Sequence, residues 1–171
     1  MEKEIINRVA KSKLITIDLS DYAPKDKIIE FDLKPLLFND IILKEKEFRL
    51  KLKKIDFSVF KNKTVALFCS SNAIVPMWSY MLVSSYLHSF CCKIYSGNKT
   101  SVIQNIILKN ISLLQNEEYK NKNVIVKGCS DIPLNESLYI AITIKLKDSV
   151  NSLMFGEACS AVPVYKKKKN A

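Results

Sequence analysis

The chain has 171 residues, of which 48% are hydrophobic and 26% charged, with only 3 glycines and 5 prolines; this is the balance of a globular protein with a buried core, and it excludes collagen-like and low-complexity chains. The formal net charge is +10, but the 27 basic residues include only two arginines, Arg8 and Arg49. Because arginine is the main reader of base edges and phosphates, we predict no specific nucleic-acid partner, and the lysine excess is typical of AT-rich codon usage.

The first 60 residues predict a β-rich segment. Alternation of apolar and polar residues predicts strands at 13–19 and 28–33. Pro35 is expected to open a short helical segment, and a further short strand is expected at 41–43. Residues 44–55 carry apolar side chains at helical spacing, which predicts an amphipathic helix.

Residues 61–155 predict strands that alternate with helices. The predicted strands cover residues 64–68, 92–96 and 123–126, and the predicted helices cover a segment capped by Asn72 and running to about residue 90, residues 100–114 and residues 134–153. Strands that alternate with long helices usually pair in parallel. We therefore predict a single α/β domain over 1–171, with a compact, mainly parallel sheet, flanking helices and the N-terminal β-rich segment, while 156–171 is predicted to be irregular and ends in a lysine tail.

One short segment is echoed later in the chain. Residues 60–65 (FKNKTV) and 119–124 (YKNKNV) each lead into a predicted strand. The echo fits a duplicated strand–helix unit, and it equally fits chance in a sequence rich in Lys and Asn.

Three of the five cysteines share a local pattern. Cys69, Cys129 and Cys159 are each followed by a serine and, within seven residues, by a proline. The first two follow predicted strands, and the carboxyl ends of parallel strands meet at the edge of the sheet where ligands bind. We expect these two thiols to lie close together, with Cys159 brought to them by the C-terminal segment.

Three convergent thiolates suit an iron–sulfur cluster or zinc, and three protein ligands leave one coordination position open. Nearby polar residues are candidates to orient the sulfurs; they are Ser70, Ser130, Ser160, Asp131 and Glu157. For the two acidic residues, the favoured alternative is an N-terminal charge on the last helix and a solvated loop position. The gaps between the cysteines are long, so no local metal-finger motif exists, and for a single cysteine the alternative is an ordinary buried thiol. Cys91 and Cys92 are expected to be core or surface thiols.

Two other functions remain open. Cys69 or Cys129, at the start of a loop that leads to a helix, is a candidate nucleophile of a thiol enzyme or redox protein. The only histidine, His88, falls late in a predicted helix, too far along it to pair with Cys69. A scaffold that binds an anionic partner through its lysines is the third possibility. Neither an enzymatic activity nor an oligomeric state follows from the sequence, and no phosphate-binding glycine motif occurs.

The chain has no apolar segment long enough to cross a membrane, and the N-terminal residues lack the pattern of a secretory signal. An odd number of cysteines argues against a disulfide framework. We therefore predict a cytoplasmic protein with free thiols and without a membrane partner.

Five segments are distinctive: EIINRVAKSKLITIDLSDY, ILKEKEFR, VALFCSSNAIVPMWSYMLV, VIVKGCSDIP and MFGEACSAVPVYK. Over these segments, and so over nearly the whole chain, the sequence resembles the bacterial family named domain of unknown function 2480. Members tend to be encoded beside genes of sulfur-mobilisation iron–sulfur assembly. The resemblance therefore implies an accessory role in cluster assembly, with iron–sulfur assembly proteins as partners. The three-cysteine pattern of the family falls on Cys69, Cys129 and Cys159, and does not include Cys91 or Cys92.

Overall fold

The computed structural model describes residues 14–91, 93–128, 131–157 and 159–168. Within these residues the chain forms seven strands, four α-helices and four short 3-10 helices. They fall into two compact units: unit 1 combines Met1–Ala23 with Gln104–Ala171, and unit 2 is Pro24–Ile103. The alternation of helices with parallel strands confirms the α/β prediction. Whether the chain is a single domain stays a prediction.

Unit 2 contains a three-stranded, wholly parallel sheet in the order β2-β3-β4. Its strands are β2 (Ile28–Asp32), β3 (Thr64–Phe68) and β4 (Lys93–Ser96), its complete helices are α1 (Glu45–Lys53) and α2 (Met77–His88), and its 3-10 helices are Lys34–Leu36 and Phe57–Phe60. The central strand β3 is a continuous apolar run because it is covered on both faces. Helix α1 is amphipathic and buries Phe48 and Leu52, which are one turn apart.

Unit 1 contains a four-stranded sheet in the order β1-β5-β6-β7. The strands are β1 (Leu14–Ile17), β5 (Asn123–Val126), β6 (Ser152–Phe155) and β7 (Val162–Lys166), the helix that lies wholly within the unit is α4 (Glu136–Leu146), and the 3-10 helices are Leu19–Tyr22 and Asn116–Tyr119. The first three strands pair in parallel, and β7 pairs antiparallel to β6. Helix α3 (Lys99–Ser112) begins in the segment of unit 2 and ends in that of unit 1.

The two units repeat the same series of elements. A 3-10 helix, an asparagine, a strand, a helix, a second strand and a glycine follow one another in both. The asparagines are Asn62 (φ 58°) and Asn121 (φ 57°), and the glycines are Gly97 and Gly156, both with φ 113°. Both pairs are separated by 59 positions. The echo in the sequence therefore belongs to a structural repeat, in which β1, β5 and β6 correspond to β2, β3 and β4.

Four local predictions are wrong. The helix expected over 134–153 ends at Leu146, and β6 occupies its last residues, because the chain turns at 147–151 and the apolar side chains of β6 join the sheet. The segment 156–165 is not irregular throughout, since β7 begins at Val162. Residues 41–43 form no strand but contribute to a single antiparallel bridge between Phe38 and Ile42. Helix α2 is capped by Pro76 instead of Asn72, and proline disfavours helical backbone in the residue before it.

None of the helices among the described residues is both long enough and apolar enough to cross a membrane.

Candidate functional site

The carboxyl edge of the sheet in unit 2 brings Asp32, Cys69 and Ser70 together. Asp32 is the last residue of β2, and it pairs in register with Phe68, the last residue of β3. The N–H of Leu33 donates to the carbonyl oxygen of Phe68 at 2.8 Å. The N–H of Ser70 donates to Asp32 Oδ1 at 2.9 Å, and its hydroxyl donates to Asp32 Oδ2 at 2.5 Å. Cys69 is thus held between two residues that are bonded to the end of β2.

Asp32 also accepts the N–H of Lys34 at 2.9 Å, so three donors converge on one carboxylate. Partial burial of this carboxyl acts to raise its pKa, but the hydrogen bonds from Ser70 and Lys34 and the nearby ammonium of Lys34 outweigh it. The net result is a pKa below the usual value of 3.8. Asp32 is therefore ionised at neutral pH and places a negative charge at this edge of the sheet.

Cys69 is half-buried and packs against the hydrophobic core of unit 2. Tyr80, on helix α2, packs against the same core. The pKa of its phenol is raised above 10.0, first by burial and then by the electrostatic influence of Cys69 and Asp32. We call these three residues the Asp32–Cys69–Tyr80 cluster.

The loop that connects Cys69 to helix α2 is held in place by hydrogen bonds of Ser71. The hydroxyl of Ser71 donates to the carbonyl oxygen of Asp40 at 2.5 Å, and it accepts the N–H of Ala73 at 3.2 Å. These bonds keep the chain after Cys69 close to the segment that follows β2. The position of the thiol is therefore set by several parts of unit 2 and not by β3 alone.

The equivalent edge of unit 1 carries Asp18, which follows β1. The N–H and the hydroxyl of Ser20 donate to Asp18 Oδ1 at 2.9 and 2.6 Å. Lys127, one residue after β5, donates from Nζ to Asp18 Oδ2 at 3.3 Å. The pKa of Asp18 is lowered, and the hydrogen bond from the hydroxyl of Ser20 is the largest cause. The pKa of Lys127 is raised, and its hydrogen bond to Asp18 is the largest cause. Unit 1 therefore pairs its edge carboxylate with a cation.

Cys129 and Ser130 lie outside the described residues, and so their predicted roles stay predictions. The backbone that leads to them is firmly packed. A Cβ on Gly128 would lie 2.6 Å from Cζ of Phe155. The ring of Phe155 contacts Tyr139 edge to face, with centroids 5.5 Å apart. The hydroxyl of Tyr139 lies 3.3 and 3.4 Å from the carbonyl oxygens of Lys127 and Gly128. A side chain at 128 would therefore require the ring of Phe155 to shift.

Cys159 is exposed in the connection between β6 and β7. The N–H of Ser160 donates to the carbonyl oxygen of Glu157 at 2.9 Å, and the thiol of Cys159 donates to the hydroxyl of Ser160 at 4.0 Å. Since Val126 and Phe155 are paired at the ends of β5 and β6, the segments that follow these strands leave the sheet at the same edge. Cys159 lies on one of these segments.

The candidate ligands are distributed over both units, with Cys69 in unit 2 and Cys159 in unit 1. The strands that precede Cys69 and Cys129, β3 and β5, belong to different sheets, so the prediction that these two thiols follow strands of one sheet is wrong. Among the described residues, no group of three or more Cys, His, Asp or Glu side chains is arranged to hold a metal ion. Of the predicted neighbours, Ser70 binds Asp32 and not a sulfur atom, while the side chains of Asp131 and Glu157 are exposed. The three-cysteine site stays a prediction.

The other thiol and the histidine lie away from this edge. Cys91 is half-buried between α2 and β4 and packs against the core of unit 2, as expected for a core thiol. Cys92 lies outside the described residues. His88 is exposed at the last residue of α2, eleven residues after the first residue of that helix, Met77.

Sequence reasoning did not identify Asp18 and Asp32. A signal for them is present, since Ile-Thr-Ile-Asp-Leu at 15–19 and Ile-Glu-Phe-Asp-Leu at 29–33 share an aspartate after alternating apolar residues. Two strands that end in the same way are consistent with a duplicated unit.

The family comparison covers residues 3–167, which match the model described as protein of unknown function DUF2480. No match to the chain was found among curated proteins or among solved structures. Because the matched residues span nearly the whole sequence, the chain belongs to the DUF2480 family.

Proposed function

We propose that this protein is cytoplasmic and binds a soft metal ion or an iron–sulfur cluster through Cys69, Cys129 and Cys159. The supporting observation is the structural repeat: β3 in unit 2 and β5 in unit 1 are corresponding strands, and Cys-Ser follows β3 directly and β5 after Lys127 and Gly128, one position later in the repeat. Cys159 follows β6, the parallel neighbour of β5. Thiolate sulfur is the donor that iron–sulfur clusters and zinc prefer.

The charge around Cys69 supports the proposal. Asp32 is ionised, and its carboxylate is bonded to Ser70, the residue that follows Cys69. A carboxylate held at the residue next to a thiol ligand adds negative charge that favours a bound cation. A bound metal supplies that cation and also holds its thiol ligands deprotonated.

The proposed biological role is accessory to iron–sulfur cluster assembly, with assembly proteins as partners. This role rests on the resemblance to the family and not on a contact in the structure. It requires that the protein hold a cluster or metal and release it to a second protein.

The test is metal analysis of protein purified without oxygen. Iron, zinc and acid-labile sulfide are measured in the wild type and in three variants, Cys69→Ser, Cys129→Ser and Cys159→Ser. The matched control is Cys91→Ser, since Cys91 is a half-buried thiol of the same unit as Cys69. We expect each of the three variants to lose the metal and the control to retain it. Wild-type metal content in all three variants, or metal-free wild type after reconstitution, would contradict the proposal.

A second candidate function is nucleophilic chemistry at Cys69. The supporting observation is the placement of a half-buried thiol directly after β3 and before helix α2, against the same core as Tyr80, whose phenol pKa it influences. The test is the rate of alkylation of each thiol in metal-free protein. This function predicts that Cys69 reacts far faster than Cys91, and that Tyr80→Phe changes the rate at Cys69 only. Equal and slow labelling of the two thiols would exclude it.

A further inference from the structure

The structural repeat places a groove at the same position in both units. The groove of unit 2 has a volume of about 480 Å³ and is lined by Leu67, Tyr80, Ser84, Ile94, Tyr95 and Ser96 among others. The residues 59 positions later, from Val126 and Tyr139 to Phe155, line a groove of about 410 Å³ in unit 1. Each groove lies between a helix and a strand, and the two strands, β4 and β6, correspond in the repeat. The two grooves are therefore corresponding surfaces.

The two units differ in the strand pairing of β4 and β6. In unit 1 strand β7 pairs antiparallel with β6, and its Val164 lines the groove. In unit 2, among the residues that the structure describes, β4 pairs with β3 alone. The position that β7 occupies in unit 1 has no described counterpart in unit 2.

Two residues of β4 direct their backbone hydrogen-bonding groups away from β3. The N–H of Gly97 donates to the carbonyl oxygen of Leu67 on β3 at 3.0 Å. Since successive residues of a strand direct their backbone groups to opposite sides, Ile94 and Ser96 direct theirs away from β3. Their counterparts in β6 are Leu153 and Phe155, and both are paired with residues of β7. The same pattern of donors and acceptors thus faces outward in unit 2.

We propose that the β4 edge binds an extended peptide of a partner protein, which pairs antiparallel with β4 and places an aliphatic side chain in the groove of unit 2. We expect the bound peptide to resemble β7, whose sequence is Val-Pro-Val-Tyr-Lys. Exposed edge strands bind extended peptides in this way through backbone hydrogen bonds. Met77 lines the groove and is 73% exposed, and a methionine side chain adapts readily to an apolar ligand.

The charge of Lys93 on β4 indicates which residue the peptide carries at the facing position. Lys166 of β7 pairs with Ser152 of β6, and the residue of β4 that corresponds to Ser152 is the exposed Lys93. A lysine directly opposite Lys93 would be repelled, whereas an acidic residue there would be attracted. The partner segment is therefore apolar, with an acidic residue at the position that faces Lys93.

The probe is a synthetic peptide with the sequence of residues 161–167 and the change Lys166→Glu. Binding to the full chain is followed by the backbone amide signals in nuclear magnetic resonance spectra. We expect saturable shifts centred on Ile94 and Ser96, and several-fold weaker binding of the peptide that keeps lysine at that position.

Two controls separate pairing at this edge from other contacts. The variant Ser84→Trp fills the groove and should weaken binding about tenfold or more, while Ser85→Trp places the same ring at an exposed neighbour and should leave binding unchanged. A peptide N-methylated at the amides that face β4 tests the hydrogen bonds without altering the protein, and should not bind.

Three outcomes would overturn the proposal. The first is the absence of amide shifts at a peptide concentration of about 1 mM, at which even a weak complex with a Kd of about 1 mM would be half-saturated. The second is a set of shifts confined to Leu153 and Phe155, which would mean that the peptide displaces β7. The third is dimerisation of the protein alone through β4, which would assign the edge to a second copy of the chain.

Discussion

Asp18 and Asp32 hold the same place in the two units. Each follows the alternating apolar residues of a first strand, each accepts the N–H of the residue two positions later at 2.9 Å, and each accepts a serine hydroxyl. They differ in the third partner. Asp18 is paired with Lys127, whereas Asp32 is bonded to the loop that begins at Cys69. The carboxylate is thus present in both units, but its third hydrogen-bond partner differs between them.

The bond between Asp32 and Ser70 predicts that Asp32→Asn destabilises the protein by about 1–3 kcal/mol at neutral pH, because hydrogen bonds to an ionised carboxylate are lost. The measurement is urea unfolding. Asp26→Asn, at an exposed residue of the same unit, is the control and should change the free energy of unfolding by less than about 0.5 kcal/mol.

The same carboxylate predicts a dependence on pH. The folded-state pKa of Asp32 lies below 3.8, so the unfolded chain binds the proton first as the pH falls. The stabilisation from Asp32 is therefore complete well above pH 3.8, declines as the unfolded chain begins to bind the proton, and is lost as the pH falls through the folded-state value. The stability difference between wild type and Asp32→Asn should shrink between about pH 5 and about pH 2. A difference that stays constant over this range would mean that the charge of Asp32 contributes nothing.

The Asp32–Cys69–Tyr80 cluster predicts that Cys69→Ser lowers the pKa of the Tyr80 phenol. The shift is partial, because burial is the largest cause of the raised pKa and remains in the variant. The measurement is the titration of the tyrosine ring carbon signals by nuclear magnetic resonance. The control Cys91→Ser should leave Tyr80 unchanged. An unaltered pKa of Tyr80 in Cys69→Ser would show that the thiol and the phenol are not coupled.

The packing of Phe155 over Gly128 predicts that Gly128→Ala destabilises the protein by about 1–3 kcal/mol, since a Cβ there meets the ring at 2.6 Å. The ring, which is 41% exposed, would have to shift and give up its edge-to-face contact with Tyr139. A double-mutant cycle with Phe155→Leu provides the check: the smaller side chain should reduce the cost of Gly128→Ala. Equal costs in the two backgrounds would place the strain elsewhere.

The orientation of helix α1 predicts that alanine substitution destabilises the protein far more at Phe48 than at Leu50. Phe48 is fully buried and contacts Trp78 edge to face, so Phe48→Ala should cost about 3–5 kcal/mol of unfolding free energy. Leu50 lies on the same helix with 60% of its surface exposed, and Leu50→Ala should cost less than about 0.5 kcal/mol. Similar losses in both variants, measured by urea unfolding, would contradict this orientation of the helix.

The sequence predicted the buried strands best. The bounds of β3 and β5 agree with the prediction because each contains a short apolar run that is preceded by a polar Lys-Asn-Lys segment. Strand β6 was missed, since Ser152–Phe155 follows an apolar helix without an intervening Gly or Pro, and a short apolar run fits a helix or a strand equally well. Strand β7 was missed because Pro163 argued against a strand; it lies at the sheet edge, where proline is tolerated.

The candidate site was less predictable than the fold. The repeated Cys-Ser pattern identified Cys69, but the bond from Ser70 to Asp32 joins residues 38 positions apart. Such a partner depends on the pairing of β2 with β3, which local periodicity does not contain. The raised pKa of Tyr80 results first from burial and then from Cys69 and Asp32, which lie on two other segments of the chain.

X-ray absorption spectroscopy at the zinc or iron edge identifies the ligand atoms of a bound metal, and it is applied to the metal-loaded protein purified without oxygen. We predict sulfur neighbours at about 2.3 Å, contributed by three cysteines of the chain, and the same spectrum in Cys91→Ser. Cys69→Ser should lose the spectrum together with the metal. A ligand set of oxygen and nitrogen atoms without sulfur would contradict the proposal that these thiols bind the metal.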